Sequence, residues 1–307
     1  MANRQWNGVT DGGNRSQKRL SALLKYIDVR IIYCFLPFVV CYYLIAARRR
    51  AGAIYNYLRK RQGFTKFKAA VGTYRNHILF GRNLLDRFYV FAGKRGRYTI
   101  SEKDRNLVKG YFEKNMPLIM LSAHVGNYEM ASYLCGELPK RLNVLAFAHE
   151  TEQMQSFRSD AMRQNNIQII PVMEDMSHLF EIAAQMEQGN AITLAADRYY
   201  MGKRSAEYSF LGEAAIFPTG SYYLADKYKA QVIALFILRA KKNFSYDVVV
   251  EPITIDDTIV GREARALAYG REYVRVLENV VKRYPLQWFN FYDFWSIGEG
   301  AANKVNG

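Results

Sequence analysis

His124 and Glu129 are the pair in this sequence whose types and spacing could move a proton. They stand in the stretch Leu118-Ile119-Met120-Leu121-Ser122-Ala123-His124-Val125-Gly126-Asn127-Tyr128-Glu129, where an apolar run after Pro117 reads as a buried strand and breaks at His, Gly and Asn. On one continuous helix, residues five apart point about 140° away from each other. The two side chains can therefore meet only if His124 lies in a turn ahead of a helix, expected at about 128–138. Gly126 supplies the backbone freedom for that turn. A carboxylate that holds one imidazole nitrogen sets the tautomer and raises the basicity of the other nitrogen, which is the arrangement of a general base. A His beside an acid also serves as a purely structural pair, so the spacing needs support from the rest of the chain.

A strand that ends in His and turns on Gly into a helix belongs to an α/β fold, where such edges expose reactive groups. The region from Pro117 to about Glu251 alternates accordingly. Short apolar runs at 118–122, 142–148, 167–172, 190–196, 231–239 and 246–251 read as strands, and helical patterns at about 128–138, 151–165, 175–188 and 219–229 separate most of them. The expected architecture is α/β: a largely parallel sheet flanked by helices, with an N-terminal membrane-anchoring helix. A last helix at about 261–283 leads into Pro285-Leu286-Gln287-Trp288-Phe289 and an aromatic tail ending at Trp295.

The anchor is the run from Ile31 to Ala47, uncharged throughout and closed by Arg48-Arg49-Arg50. At ~1.5 Å per residue it reaches about 26 Å, just short of a ~30 Å hydrocarbon core, and Pro37 would kink it. A spanning or re-entrant anchor is expected, with a buried core helix as the alternative; basic residues on both flanks leave its orientation open. From about Ala51 to Gly93 the pattern is helical, basic and aromatic, with Arg75, Arg82 and Arg87 among the aromatics. It reads either as a face packed on the catalytic domain or as an interfacial helix touching lipid headgroups. The expected organisation is a disordered tail at 1–16, the anchor at 17–50, basic amphipathic helices at 51–110, a catalytic domain at 111–297 and a flexible tail at 298–307.

Composition narrows the partners. Lys and Arg number 43 against 28 Asp and Glu, a net charge of +15 that calls for an anionic partner. The 23 tyrosines favour a half-wet, half-apolar surface such as a membrane interface. The basic residues are spread along the chain without a recognition module, so no nucleic-acid partner is expected. Cys34, Cys41 and Cys135 show no metal or redox spacing, which fits a reduced cytoplasmic setting. The chain carries no phosphate loop, no dinucleotide glycine fingerprint and no Gly-x-Ser-x-Gly elbow, and none of its four histidines pairs with another at metal spacing. No metal or organic cofactor is expected. A basic membrane-surface protein without catalysis is the alternative from a different class.

Three separated segments together resemble one family. Ala123-His124-Val125-Gly126-Asn127-Tyr128-Glu129 looks like the His-x4-Asp/Glu motif of glycerolipid-type acyltransferases, in the Gly-Asn form of the late acyltransferases of lipid A biosynthesis. Ala195-Ala196-Asp197, Phe210-Leu211-Gly212 and Phe217-Pro218-Thr219-Gly220-Ser221 follow that family's Asp-Gln, Phe-x-Gly and Phe-Pro-x-Gly elements in order. Pro285-Leu286-Gln287-Trp288 is similar to its Pro-x-Gln-Trp close. The chain departs from the pattern at Arg198, where the family usually has Gln, and at Tyr292-Asp293-Phe294-Trp295, where basic residues are usual.

The resemblance implies acyl transfer from a thioester, on acyl carrier protein or coenzyme A as co-substrate, to a hydroxyl of a lipid A precursor. His124 would be the base and Glu129 its orienting acid, and no covalent enzyme intermediate is required. Arg158, Arg163 and Arg198 would hold phosphates of acceptor or donor, although Arg158 and Arg163 also suit a solvated helix face. Asp197 would contact substrate or anchor a loop, and Gly220 would open a helix whose N-terminus suits an anion. A glycolipid, aminolipid or polyene lipid is the alternative acceptor. The implied place is the bacterial inner membrane, with the catalytic domain on the cytoplasmic face and an anionic glycolipid as acceptor; oligomeric state is left open.

Overall fold

The computed structural model describes residues 22–131, 139–147, 166–173, 175–199 and 204–295. Among the described residues, four α-helices of twelve residues or more precede the sheet. Helix α1 (Val29–Ala46) is capped by Asp28, whose carboxylate accepts from the Arg30 amide at 2.9 Å. Helix α2 (Arg48–Lys60) follows after one residue, and α3 (Lys66–Tyr89) starts on a Thr65 cap. Helix α4 (Glu102–Glu113) starts on a Ser101 cap and carries Glu102 and Asp104 in its first turn, where the helix dipole favours acids.

The sheet then builds from β1 (Leu118–Ser122), β2 (Leu142–Phe147), β3 (Ile167–Val172), β4 (Ala191–Ala195), β7 (Gln231–Arg239) and β8 (Tyr246–Pro252), in the order β3-β2-β4-β1-β7-β8. Every neighbouring pair is parallel except the antiparallel pair β7 and β8. Helix α5 (His178–Glu187) joins β3 to β4. A separate hairpin, β5 (Ser205–Phe210) and β6 (Glu213–Pro218), precedes α6 (Gly220–Tyr228), and α7 (Arg262–Arg283) comes last.

The α/β architecture with a mostly parallel sheet is therefore as expected, and the six apolar runs are its six strands. Strand periodicity explains how helices cover both faces. Along β7, Val232, Ala234, Phe236 and Leu238 enter one apolar core while Ile233, Leu235 and Ile237 enter the other. The first core takes residues of α5, α6 and α7; the second takes Leu85 and Phe88 of α3 with Val29, Tyr33, Leu36 and Val40 of α1.

Helix α1 thus combines two expectations. At 18 residues and a mean hydropathy of 2.0 it is long and apolar enough to cross a membrane by length and composition, yet one of its faces is core. Where it meets α3, Leu36 packs over Gly81: a Cβ there would stand 2.7 Å from Leu36 Cδ1, so the leucine side chain would have to shift.

The hairpin was not anticipated, and the helical pattern of 51–93 divides into α2 and α3 with Gly63 at φ 67 between them. The hairpin's signal is alternation, since Tyr208 and Phe210 point inward between Glu207 and Ser209, but six residues of it are weak against the aromatic bulk around them. Its turn is Leu211-Gly212, both at positive φ (52° and 83°), which is the two-residue geometry that matches strand twist and explains the glycine of the Phe-x-Gly element. The expected helix at 128–138 opens with a 3-10 turn over Tyr128–Met130, and Ala131, the last described residue of that stretch, is helical. Residues 132–138, the expected helix at 151–165, Cys135 and both tails lie outside the described residues.

Candidate active site

Parallel pairing places the site. Ser122 of β1 is in register with Ala195 of β4, and the Ala196 amide donates to the Ser122 carbonyl at 2.8 Å. Two residues beyond each registered partner come His124 and Asp197, side by side past the C-terminal edges of adjacent strands. Open α/β sheets bind ligands outside those edges.

His124 Nδ1 is 2.8 Å from Asp197 Oδ1, and the His124 amide donates to Oδ2 at 3.0 Å. The Trp288 indole donates to the same Oδ2 at 3.2 Å. Burial pushes the Asp197 carboxyl up, but the charge and hydrogen bonds of His124, with Arg198 beside it, outweigh that and hold it at about 2. An ionised carboxylate only accepts, so Nδ1 carries the proton and Nε2 is the basic nitrogen. The Asp197 side chain is 2% exposed and that of His124 17% exposed, so the acid is sealed in while the imidazole still reaches solvent.

The closing motif of the chain holds this loop down. Val125 bridges Trp288; the Gly126 amide donates to the Gln287 carbonyl at 2.8 Å, and the Phe289 amide to the His124 carbonyl at 2.8 Å. The Gln287 side chain in turn accepts from the Arg239 amide (2.9 Å) and donates to its carbonyl (3.0 Å), tying the motif to the end of β7. Trp288 is fully buried, edge-on to Tyr57 of α2 and to Phe210 of the hairpin. Phe294 and Trp295 pack on Phe210 and Trp288.

Gly126 takes φ +66, and a Cβ there would lie 2.1 Å from the Ile237 carbonyl oxygen, which is backbone and cannot step aside. A left-handed residue with a side chain costs about 1–2 kcal/mol and overpacking about 1–3 kcal/mol more. Gly126→Ala is therefore expected to lower stability by about 2–5 kcal/mol in a urea titration. A midpoint unchanged from wild type would show that this loop is not held against β7.

Glu129, on the 3-10 turn after the loop, is ion-paired with Arg87 of α3. The side-chain carboxylate on Nδ1 is that of Asp197, a residue the sequence reading placed at a substrate or in a loop. It binds the imidazole with one oxygen and the loop backbone with the other, which is the anchoring alternative. Arg198 is buried and donates to the Phe289 carbonyl at 3.2 Å, one residue after Trp288. Gly220 opens α6 directly after the hairpin. Arg158 and Arg163 lie outside the described residues.

Sequence reasoning missed the polar hub beneath the loop. Asp86 of α3 is fully buried and ion-paired with Arg239, and it accepts from Tyr33, Tyr98 and Tyr246. Asn127 donates to the Tyr246 hydroxyl at 3.0 Å, and Asn83 donates to the Gly126 carbonyl at 3.0 Å. Removing one partner of a buried pair costs about 3–5 kcal/mol, so the hub ties α1, α3, β7, β8 and the His124 loop into one body. A charged residue ending the apolar run of β7 was its one signal in the sequence.

The chain matches the family model described as bacterial lipid A biosynthesis acyltransferase over residues 94–296. It belongs to that family. The protein is an acyltransferase, and the matched residues contain the whole sheet, the His124–Asp197 pair and the Gln287-Trp288 clamp. Among solved structures it is similar to the 1-acyl-sn-glycerophosphate (LPA) acyltransferase PlsC from Thermotoga maritima, at 14% identity and a TM-score of 0.36, covering 82% of this chain and 98% of that one. A comparison with curated proteins found no match.

Proposed function

We propose that this acyltransferase moves a fatty acyl chain from a thioester, on acyl carrier protein or coenzyme A, to a hydroxyl of a lipid A precursor. The observation that carries the chemistry is the imidazole held by a buried, ionised carboxylate at the sheet edge of a family member. His124 Nε2 takes the hydroxyl proton as the oxygen attacks the thioester carbonyl. The tetrahedral intermediate collapses, the carbon–sulfur bond breaks, and the thiolate leaves with the proton returned by the imidazolium. Asp197 holds the Nδ1 proton and balances the charge that His124 acquires. Glu129, the acid of the His-x4-Glu motif, is assigned with Arg87 to the field around the attacking hydroxyl. Arg198, Arg158 and Arg163 are assigned to phosphates of acceptor or donor, and the N-terminus of α6 at Gly220 to an anion of either.

The same reading puts α1 in the bacterial inner membrane with the sheet on its cytoplasmic side, where thioester donors are made. Two observations support it: the exposed apolar residues of α1 and the net positive charge. Mass spectrometry of lipid A from cells with the gene, without it, and carrying His124→Ala is the test. Loss of one secondary acyl chain in both deficient strains is expected, and the mass gap gives the chain length. Unchanged lipid A with another lipid short of one acyl group would move the acceptor to a glycolipid, aminolipid or polyene lipid.

A further inference from the structure

A groove of about 270 Å³ runs between α1 and α3, lined by Pro37, Tyr74, Arg75, Ile78, Leu79 and Arg82. It lies on a different side of α3 from Asn76, Phe80 and Asn83, which face the closing motif and the His124 loop. Two guanidinium groups line it and no carboxylate does. Asp86, one turn on from Arg82, is taken by Arg239 and three tyrosines. The Arg82 guanidinium stands 5.2 Å over the Tyr33 ring, and its Nε is buried with no hydrogen-bond partner among the described residues. A phosphate oxygen is the acceptor that guanidinium geometry suits best, and the groove offers two such groups. Arg75 is exposed beside it.

The other walls are apolar or aromatic, and the groove borders an apolar surface. Ile31, Phe35, Phe38, Tyr42 and Ile45 of α1 are exposed, forming a band on the helix face away from α3. A phosphate in the groove would leave its alkyl chains along that band.

We propose that this groove binds the phosphate of an anionic membrane phospholipid and thereby fixes how the acyltransferase sits on the bilayer. The inference rests on the reading that α1 lies in the membrane, and it is independent of which lipid is acylated. It also explains why α1 is bound along its length to a helix carrying Arg75 and Arg82: the guanidiniums mark headgroup depth, with α1 lying along the interface and its outer face in lipid.

The test is flotation of the full chain with vesicles of phosphatidylcholine alone and of two parts phosphatidylcholine to one part phosphatidylglycerol. Wild type is expected to bind both and to prefer the anionic vesicles. Arg75→Gln with Arg82→Gln is expected to lose that preference, roughly fivefold for each guanidinium, while still floating. Arg75→Gln alone, at an exposed position, is expected to lose roughly fivefold without any question of misfolding. Lys227→Gln with Arg271→Gln, exposed residues on the opposite face of the sheet, removes equal charge and is expected to keep the preference. Equal losses in the two double variants, or an unchanged preference in the groove variant, would overturn the groove while leaving the anchor intact. A wild-type chain that floats with neither vesicle would overturn both. Phosphatidylglycerol carrying a photoreactive group near its phosphate is expected to label the stretch 74–82, and labelling confined to other segments would also refute the site.

Discussion

His124→Ala is expected to lower the rate of acyl transfer by about 10²- to 10⁴-fold, the usual worth of a positioned general base. The variant should remain folded. The hydrogen bonds that shape the loop here are main-chain ones, from the His124 amide to Asp197 and from the Phe289 amide to the His124 carbonyl, and alanine keeps both. What is lost is the imidazole bond to a charged partner, about 1.5–3 kcal/mol of stability. Single-turnover transfer from a radiolabelled acyl thioester, beside a urea melt, reads the two effects separately. Turnover at the wild-type rate in a folded variant would sink the general-base assignment.

Asp197→Asn is expected to cost a similar factor, about 10²- to 10⁴-fold in kcat, for a reason set by its hydrogen bonds. Oδ2 receives two donors, the His124 amide and the Trp288 indole. An asparagine must therefore turn its oxygen toward them and its NH2 toward Nδ1. That NH2 donates, Nδ1 becomes the acceptor, and the proton moves to Nε2, which can then no longer accept one from the hydroxyl. The loop stays anchored while the tautomer is wrong, so kcat should fall with little change in KM. Since the Asp197 carboxyl titrates at about 2, wild-type activity should show no ionisation of this group above about pH 4. If Asp197→Asn turns over at the wild-type rate and Glu129→Gln does not, orientation of the imidazole returns to Glu129.

How the candidate site was legible follows from the same residues. The strand before His124 was readable because four consecutive apolar residues, Leu118 to Leu121, are buried on both faces of a parallel sheet, and a continuous apolar run signals that burial directly. Order and spacing of the three motifs gave the family. The partner of Nδ1 was not readable, because Glu129 and Asp197 both fit as acids when only sequence distance is known. Asp197 is 73 residues from His124 and becomes its neighbour only when β4 pairs with β1 in parallel register. Gln287-Trp288 was recognisable as a motif, yet its task of clamping the loop and donating to Asp197 requires contact across 91 residues. The hub at Asp86 was hidden for the same reason, as its partners come from α1, β7, β8 and the segment before α4.

The sequence by itself determined what is local. Burial of apolar runs set the strands, the Asp28, Thr65 and Ser101 caps set helix starts, and Gly126 marked a turn that only glycine fits, because each depends on near neighbours along the chain. It also determined the family. Tertiary structure alone decided which carboxylate holds His124, that α1 gives one face to the core and the other to the surroundings, and that two arginines of α3 meet Pro37 in a groove. Those outcomes depend on strand order and helix docking, which bring distant residues within 3–4 Å through the burial of whole faces rather than through any local preference.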